Sequence, residues 1–184
     1  MDTAVQLVKT YLQANGFFTV TDIDVLGLRF PGAGGLSSTS TTGGLRIAPD
    51  PALGIDDSYI EAIIGEVKEG AASLNKAATD PAVLRAVLRR FGEMDPKIAG
   101  VLVDELIKTG EAHHPAGIRV RLVVFASKPP DRRGFRYSWY GLGAIGAWLS
   151  EQIRENWESV KAVQSKDPAL GFMIMFEKAL RGET

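Results

Sequence analysis

Three stretches of this chain are apolar on both faces when read with the two-residue period of a strand. In Ile118 to Ser127, the residues Val120, Leu122, Val124 and Ala126 point one way, and Val123 and Phe125 the other. Asp22 to Phe30 places Asp22, Asp24, Leu26, Leu28 and Phe30 on one side and Ile23, Val25 and Gly27 on the other. Ile60 to Lys68 opens with Ile60, Ala62, Ile63 and Ile64. A strand apolar on both sides belongs inside a sheet and needs cover on both faces.

Helical patterns supply that cover. Ala4, Val5, Val8, Tyr11 and Leu12 follow the spacing of one buried helix face over residues 3–15, and Gly16 is placed to end the helix. Asp80-Pro81 and Asp95-Pro96 each read as an N-cap followed by proline in the first turn. The helices they open are expected to close at Gly92 and Gly110. Leu142 to Val163 reads as one long helix, and Asp167-Pro168 opens another reaching about Leu180. Phe17 to Val20 is a short β-prone run, Phe135 to Tyr140 is a candidate last strand, Glu69-Gly70 a turn, and His113-His114 a loop before Pro115. Pro31 to Gly54 offers little to bury, and weak packing is expected there. The expectation is an α/β protein with a mixed central sheet flanked by helices, in one domain over residues 1–184. Its core lies at about 3–127 and a C-terminal helical part at about 142–181.

Composition removes several function classes. The chain has no cysteine, so disulfides, thiolate metal sites and cysteine nucleophiles are excluded. No apolar run reaches the roughly 20 residues of a membrane helix. Met1-Asp2-Thr3 leads straight into an amphipathic helix without a basic segment, so no signal peptide and a cytoplasmic location are expected. There is neither a Walker-type phosphate loop nor a G-x-S-x-G elbow.

The residues suited to chemistry are charges set into apolar strands. Glu66 and Lys68 are two apart and share a strand face, with Val67 on the other. Asp24 sits in the preceding apolar strand. If the two strands pair as a hairpin, Asp24 and Glu66 meet at one end of the sheet. Two carboxylates and a lysine suit phosphodiester hydrolysis: carboxylate oxygens hold Mg²⁺ or Mn²⁺, and the cation faces the phosphate. The alternative is a structural ion-pair cluster at the sheet edge. Asp22, Gln13 and Asn75 are candidates for accessory roles.

TDIDVLGLRF followed by IIGEVKEG resembles the PD-(D/E)XK, or restriction-endonuclease-like, superfamily, with a helix-strand-strand-strand-helix-strand core over residues 3–127. The resemblance implies Asp24 and Glu66 as metal ligands, the Val67 carbonyl as a further ligand, and Lys68 as the catalytic lysine. The first helix offers Gln6, Gln13 and Asn15 where many members carry a glutamate. The wider pattern, with NGFF, GEVKEG, LN and VLRRFG, resembles a group of bacterial proteins and carries no substrate with it. The function implied is a divalent-metal-dependent nuclease or nuclease-like protein acting on DNA. A catalytically silent domain of the same fold, used for binding, is the alternative.

A net charge of −1 argues against a protein that coats DNA non-specifically. One segment, Ile118 to Trp139, nevertheless holds Arg119, Arg121, Lys128, Arg132, Arg133 and Arg136 against Asp131 alone. Arg119, Arg121, Arg132, Arg133 and Arg136 are the candidate nucleic-acid contacts; the last three are interleaved with Phe135, Tyr137 and Trp139, an alternation that equally fits a strand burying one face. A homodimer is left open.

Overall fold

The computed structural model describes residues 2–21, 25–33, 47–92, 95–131, 133–162 and 165–182. Helix α1 (Thr3–Ala14) is capped by Asp2, whose carboxylate accepts from the Ala4 amide at 2.8 Å. Strands β1 (Phe18–Val20), β2 (Val25–Arg29) and β3 (Ile60–Ala71) follow, then α2 (Pro81–Leu88) and α3 (Pro96–Thr109). All three Asp-Pro starts form as expected, with Asp80, Asp95 and Asp167 accepting from first-turn amides. The chain continues through β4 (Glu111–His114), β5 (Ile118–Lys128), β6 (Ser138–Gly141), α4 (Leu142–Glu155), the short α5 (Trp157–Val160) and α6 (Pro168–Arg181).

Among the described residues, six strands form one mixed sheet in the order β1-β2-β3-β5-β4, with β6 also pairing with β5. The β2–β3 hairpin is antiparallel, with Val25 opposite Gly65 and Arg29 opposite Glu61. Strands β3 and β5 run parallel, which requires the crossover that α2 and α3 supply. One face is covered by α1 and α4: Val8, Leu12, Ile145 and Leu149 pack on Val25, Ile63, Val123 and Phe125. The other is covered by α2 and α3: Leu84, Val87, Leu102 and Leu106 pack on Leu26, Ala62, Ile64, Val120 and Leu122. The three two-faced apolar runs are therefore the inner strands, sandwiched as their pattern demands.

Five expectations change. Glu69 and Gly70 are not a turn: β3 runs on to Ala71 through a register shift against β5 between Lys68 and Ala71. His113 and His114 are not in a loop but on β4, antiparallel to β5. An edge strand open to solvent on one face needs few apolar residues, so the run carries little strand pattern. The last strand begins at Ser138, so Phe135 to Tyr137 lie before it. The long helix breaks at Asn156, whose side-chain amide donates back to the Gln152 carbonyl at 2.9 Å in the local bonding that competes with helix continuation. The stretch 31–54 is well packed where it rejoins the core. Ile47 and Leu53 are buried, and the Leu53 carbonyl accepts from Arg121 at 2.8 Å and from the Tyr140 hydroxyl at 3.3 Å. The expected weak packing over residues 34–46 falls outside the described residues.

Candidate functional site

Glu66 and Lys68 stand opposite Val124 and Ala126 of β5, towards the C-terminal end of two parallel strands. In α/β sheets, ligand sites form outside that end. The two side chains share a face with Ala62 and Ile64, the face roofed by α2. Glu66 has only 3% of its surface exposed. Around it, Leu74, Val83, Leu84, Val87 and Leu122 leave a cavity of about 10 Å³, room for no more than about one water. A carboxylate in such surroundings must be compensated.

Two side chains compensate it. The Lys68 ammonium pairs with Glu66 Oε1. Asn75 Nδ2 donates to both carboxylate oxygens, at 2.8 Å and 3.0 Å. The route of the chain explains how Asn75 arrives. Beyond the register shift, the Ala72 amide still donates to the Lys128 carbonyl at 3.0 Å, keeping the chain beside β5. Ala72 and Leu74 then pack with Val124, Ala126 and Phe135, and the chain turns back over the face that carries Glu66. Asn75 Oδ1 meanwhile accepts from the Ala78 amide at 2.7 Å, opening a one-turn helix at Ala77–Thr79. Opposite ends of one carboxamide thus hold the Glu66 carboxylate and start this turn of helix. Lys68 keeps 33% of its side chain exposed, so it links the buried carboxylate to the surface.

Asp22 and Asp24 lie outside the described residues. Among the described residues, the β2–β3 pairing reaches as far as Val25 opposite Gly65, the covalent neighbours of Asp24 and Glu66. Val67 turns to the α1/α4 core. Gln13 donates from Nε2 to the Thr19 hydroxyl at 3.0 Å; it sits on α1, which covers the face opposite Glu66.

The basic segment separates into two groups. Arg119 and Arg121 are committed inside the fold. Arg121 is 3% exposed; it donates to the Leu53 carbonyl and lies 3.2 Å from Glu61, which is itself fully buried. Arg119 makes two 3.0 Å bonds to Glu111 and a third to Glu61. Burial works against charge on Arg119, but the Glu111 hydrogen bonds and the fields of Glu61 and Glu111 outweigh it and raise its pKa. Neither guanidinium is presented to a phosphate. The partner that claims them, Glu61, was legible by the same signal that picked out Glu66: an acid inside an apolar strand. Arg133 and Arg136 are exposed, and Arg132 lies outside the described residues. Between Arg133 and Arg136, Phe135 packs on Val124 and Ala126, the register partners of Glu66 and Lys68. Arg136 lies over the Tyr137 ring, 5.9 Å from its centroid, and donates to the Lys108 carbonyl at 3.2 Å.

What the arrangement offers chemically is an oriented, buried carboxylate, a partly exposed lysine paired with it, and an exposed basic segment anchored on the neighbouring strand. Compared with protein-family models, curated proteins and solved structures, the chain matches none.

Proposed function

We propose that this protein is a divalent-metal-dependent nuclease, or nuclease-like protein, acting on DNA at the C-terminal end of β3. The observation that carries the reading is the Glu66–Lys68–Asn75 cluster: a 3% exposed carboxylate held from two sides, one of them a lysine whose side chain is 33% exposed. The topology is consistent with a restriction-endonuclease-like core. An antiparallel β1-β2-β3 meander follows α1, and a helical crossover leads to the parallel strand β5.

The described donor fits Mg²⁺ or Mn²⁺. Glu66 offers hard carboxylate oxygens, and a buried carboxylate gains from a cation. Under this reading Glu66, with Asp24 and the Val67 carbonyl implied by the resemblance, would hold the ion. Such an ion, when bound, polarises a phosphate and lowers the pKa of water. The chain's own part is positional. Asn75 fixes the Glu66 carboxylate plane, and Lys68 places a positive charge where negative charge grows on the phosphate. The segment holding Arg133 and Arg136 supplies backbone contacts for DNA.

A second reading, a silent binding domain, draws on the same cluster: Asn75 and Lys68 already satisfy Glu66 without an ion. A cleavage panel of linear, nicked, branched and single-stranded DNAs with Mg²⁺, Mn²⁺, Ca²⁺ or EDTA separates the two. The nuclease reading expects turnover with Mg²⁺ or Mn²⁺ that Glu66→Gln abolishes. No cleavage of any substrate, together with no Mn²⁺ binding by calorimetry, leaves the silent domain.

A further inference from the structure

Helix α6 is apolar on the side it turns to solvent. Phe172, Met175, Phe176 and Leu180 are 61%, 58%, 55% and 60% exposed, and Ala179 lies open among them. The polar residue Glu177 points inward instead, bonded to Arg154 at 3.0 Å and Arg181 at 2.9 Å. The inward face is otherwise carried by Ile174, packed with Ile153, Trp157 and Val160. This inverts the ordinary surface helix, and a helix apolar on both sides is one with cover on both sides. Pro168, Phe172, Met175 and Ala179 follow the alternating four- and three-residue spacing of a helix–helix seam.

We propose that a second copy of this chain covers that face, with the two α6 helices antiparallel across a two-fold axis near Met175. The first support is shape. The N-terminal half of α6 borders a groove of about 700 Å³ against α1 and α4, with Leu7, Gly146, Phe172 and Met173 among its walls. The C-terminal half carries the ridge of Phe176 and Leu180. A two-fold axis between the halves lays each ridge along the other copy's groove, the self-complementarity an isologous dimer requires. The second is area. A large aromatic side chain buries roughly 150–250 Å² in full, so four large side chains at this exposure offer about 400 Å² per copy. Both copies together supply about 800 Å², and the groove walls bring the total to about 1,000 Å², the size a specific interface must reach. The third is electrostatic. Antiparallel helices set each N-terminus beside the other's C-terminus, and a net charge of −1 gives little mutual repulsion.

Sedimentation velocity and light scattering on the full chain test this. Twice the 19.8 kDa chain mass is expected at tens of micromolar. Phe172→Glu with Phe176→Glu should weaken association by about 100-fold or more at unchanged circular dichroism, because central aromatics dominate such contacts. The absence of native cysteine makes a second test clean. Met175→Cys should oxidise to a covalent dimer, and Val101→Cys, equally exposed on α3, should not. A chain that stays at 19.8 kDa at 100 µM overturns the proposal, as does a dimer that survives the double change and gives no Met175→Cys cross-link. A monomer that instead co-floats with anionic lipid vesicles overturns it in favour of a membrane surface.

Discussion

Removing the Glu61 carboxylate should be among the most damaging single changes in this fold, although Glu61 lies outside the proposed site. Its side chain is fully buried, accepts from the Asp56 amide and from Arg119 at 3.0 Å each, and faces Arg121 Nη2 at 3.2 Å. In Glu61→Ala, Arg119 keeps Glu111, so its loss is partial. Arg121 is 3% exposed and keeps only the Leu53 carbonyl among its described hydrogen bonds. Leaving one member of a buried ion pair unpaired costs about 3–5 kcal/mol. The contact between Arg121 and Glu61 Oε2 is close in charge but not aligned as a hydrogen bond, since neither Oε2 nor the Arg121 Nε and Nη2 has a hydrogen-bond partner among the described residues. That places the expected loss at the lower end, about 3 kcal/mol, or a fall in Tm of about 6–12 °C for a domain of this size. Urea unfolding measures it directly. Glu61→Leu combined with Arg121→Met removes both charges and should recover much of the loss, because apolar replacement of a buried pair is often neutral. A Glu61→Ala loss under about 1 kcal/mol, or a double variant no better than the single one, would refute the reasoning.

Lys68→Ala should lower cleavage by ~10²–10³ and cost about 1–3 kcal/mol in urea unfolding, since the buried Glu66 carboxylate loses its cation and keeps only Asn75. Asn75→Ala should weaken Mn²⁺ binding about 10- to 100-fold by freeing the Glu66 carboxylate, with Asn75→Asp no substitute because it repels Glu66. Reversing charge at Arg132 and Arg133 together should weaken DNA binding and flatten its salt dependence, whereas an unchanged slope would move the interface elsewhere. Stability should fall in acid. The Arg29 hydrogen bond holds Asp57 below the usual carboxylate range, and Arg119 does the same for Glu111 against the opposing effect of burial. Their folded pKa values are lower than the unfolded ones, so their stabilisation is full above the unfolded values and is lost as pH drops below about 5. Arg29→Met should flatten that acid limb in urea titrations.

Which features the sequence determined follows from their range. Two-faced apolar runs fix inner strands, Asp-Pro pairs fix helix starts, and the two-residue spacing of Glu66 and Lys68 fixes their shared face, because each is set by neighbours along the chain. Edge strand β4, the extension of β3 past Lys68 and the break at Asn156 are decided by pairing partners or by single hydrogen bonds, which leave faint local traces. The site shows the same division. Glu66 and Lys68 were legible. That Asn75, nine residues on, bonds both oxygens of Glu66 depends on how the chain turns back over the sheet. Arg119 and Arg121 looked, in sequence, like part of one basic surface with Arg133 and Arg136. Only the parallel pairing of β3 with β5 sets Glu61 opposite Arg119 and two positions from Arg121, where burial leaves their charges nothing to do but neutralise one another.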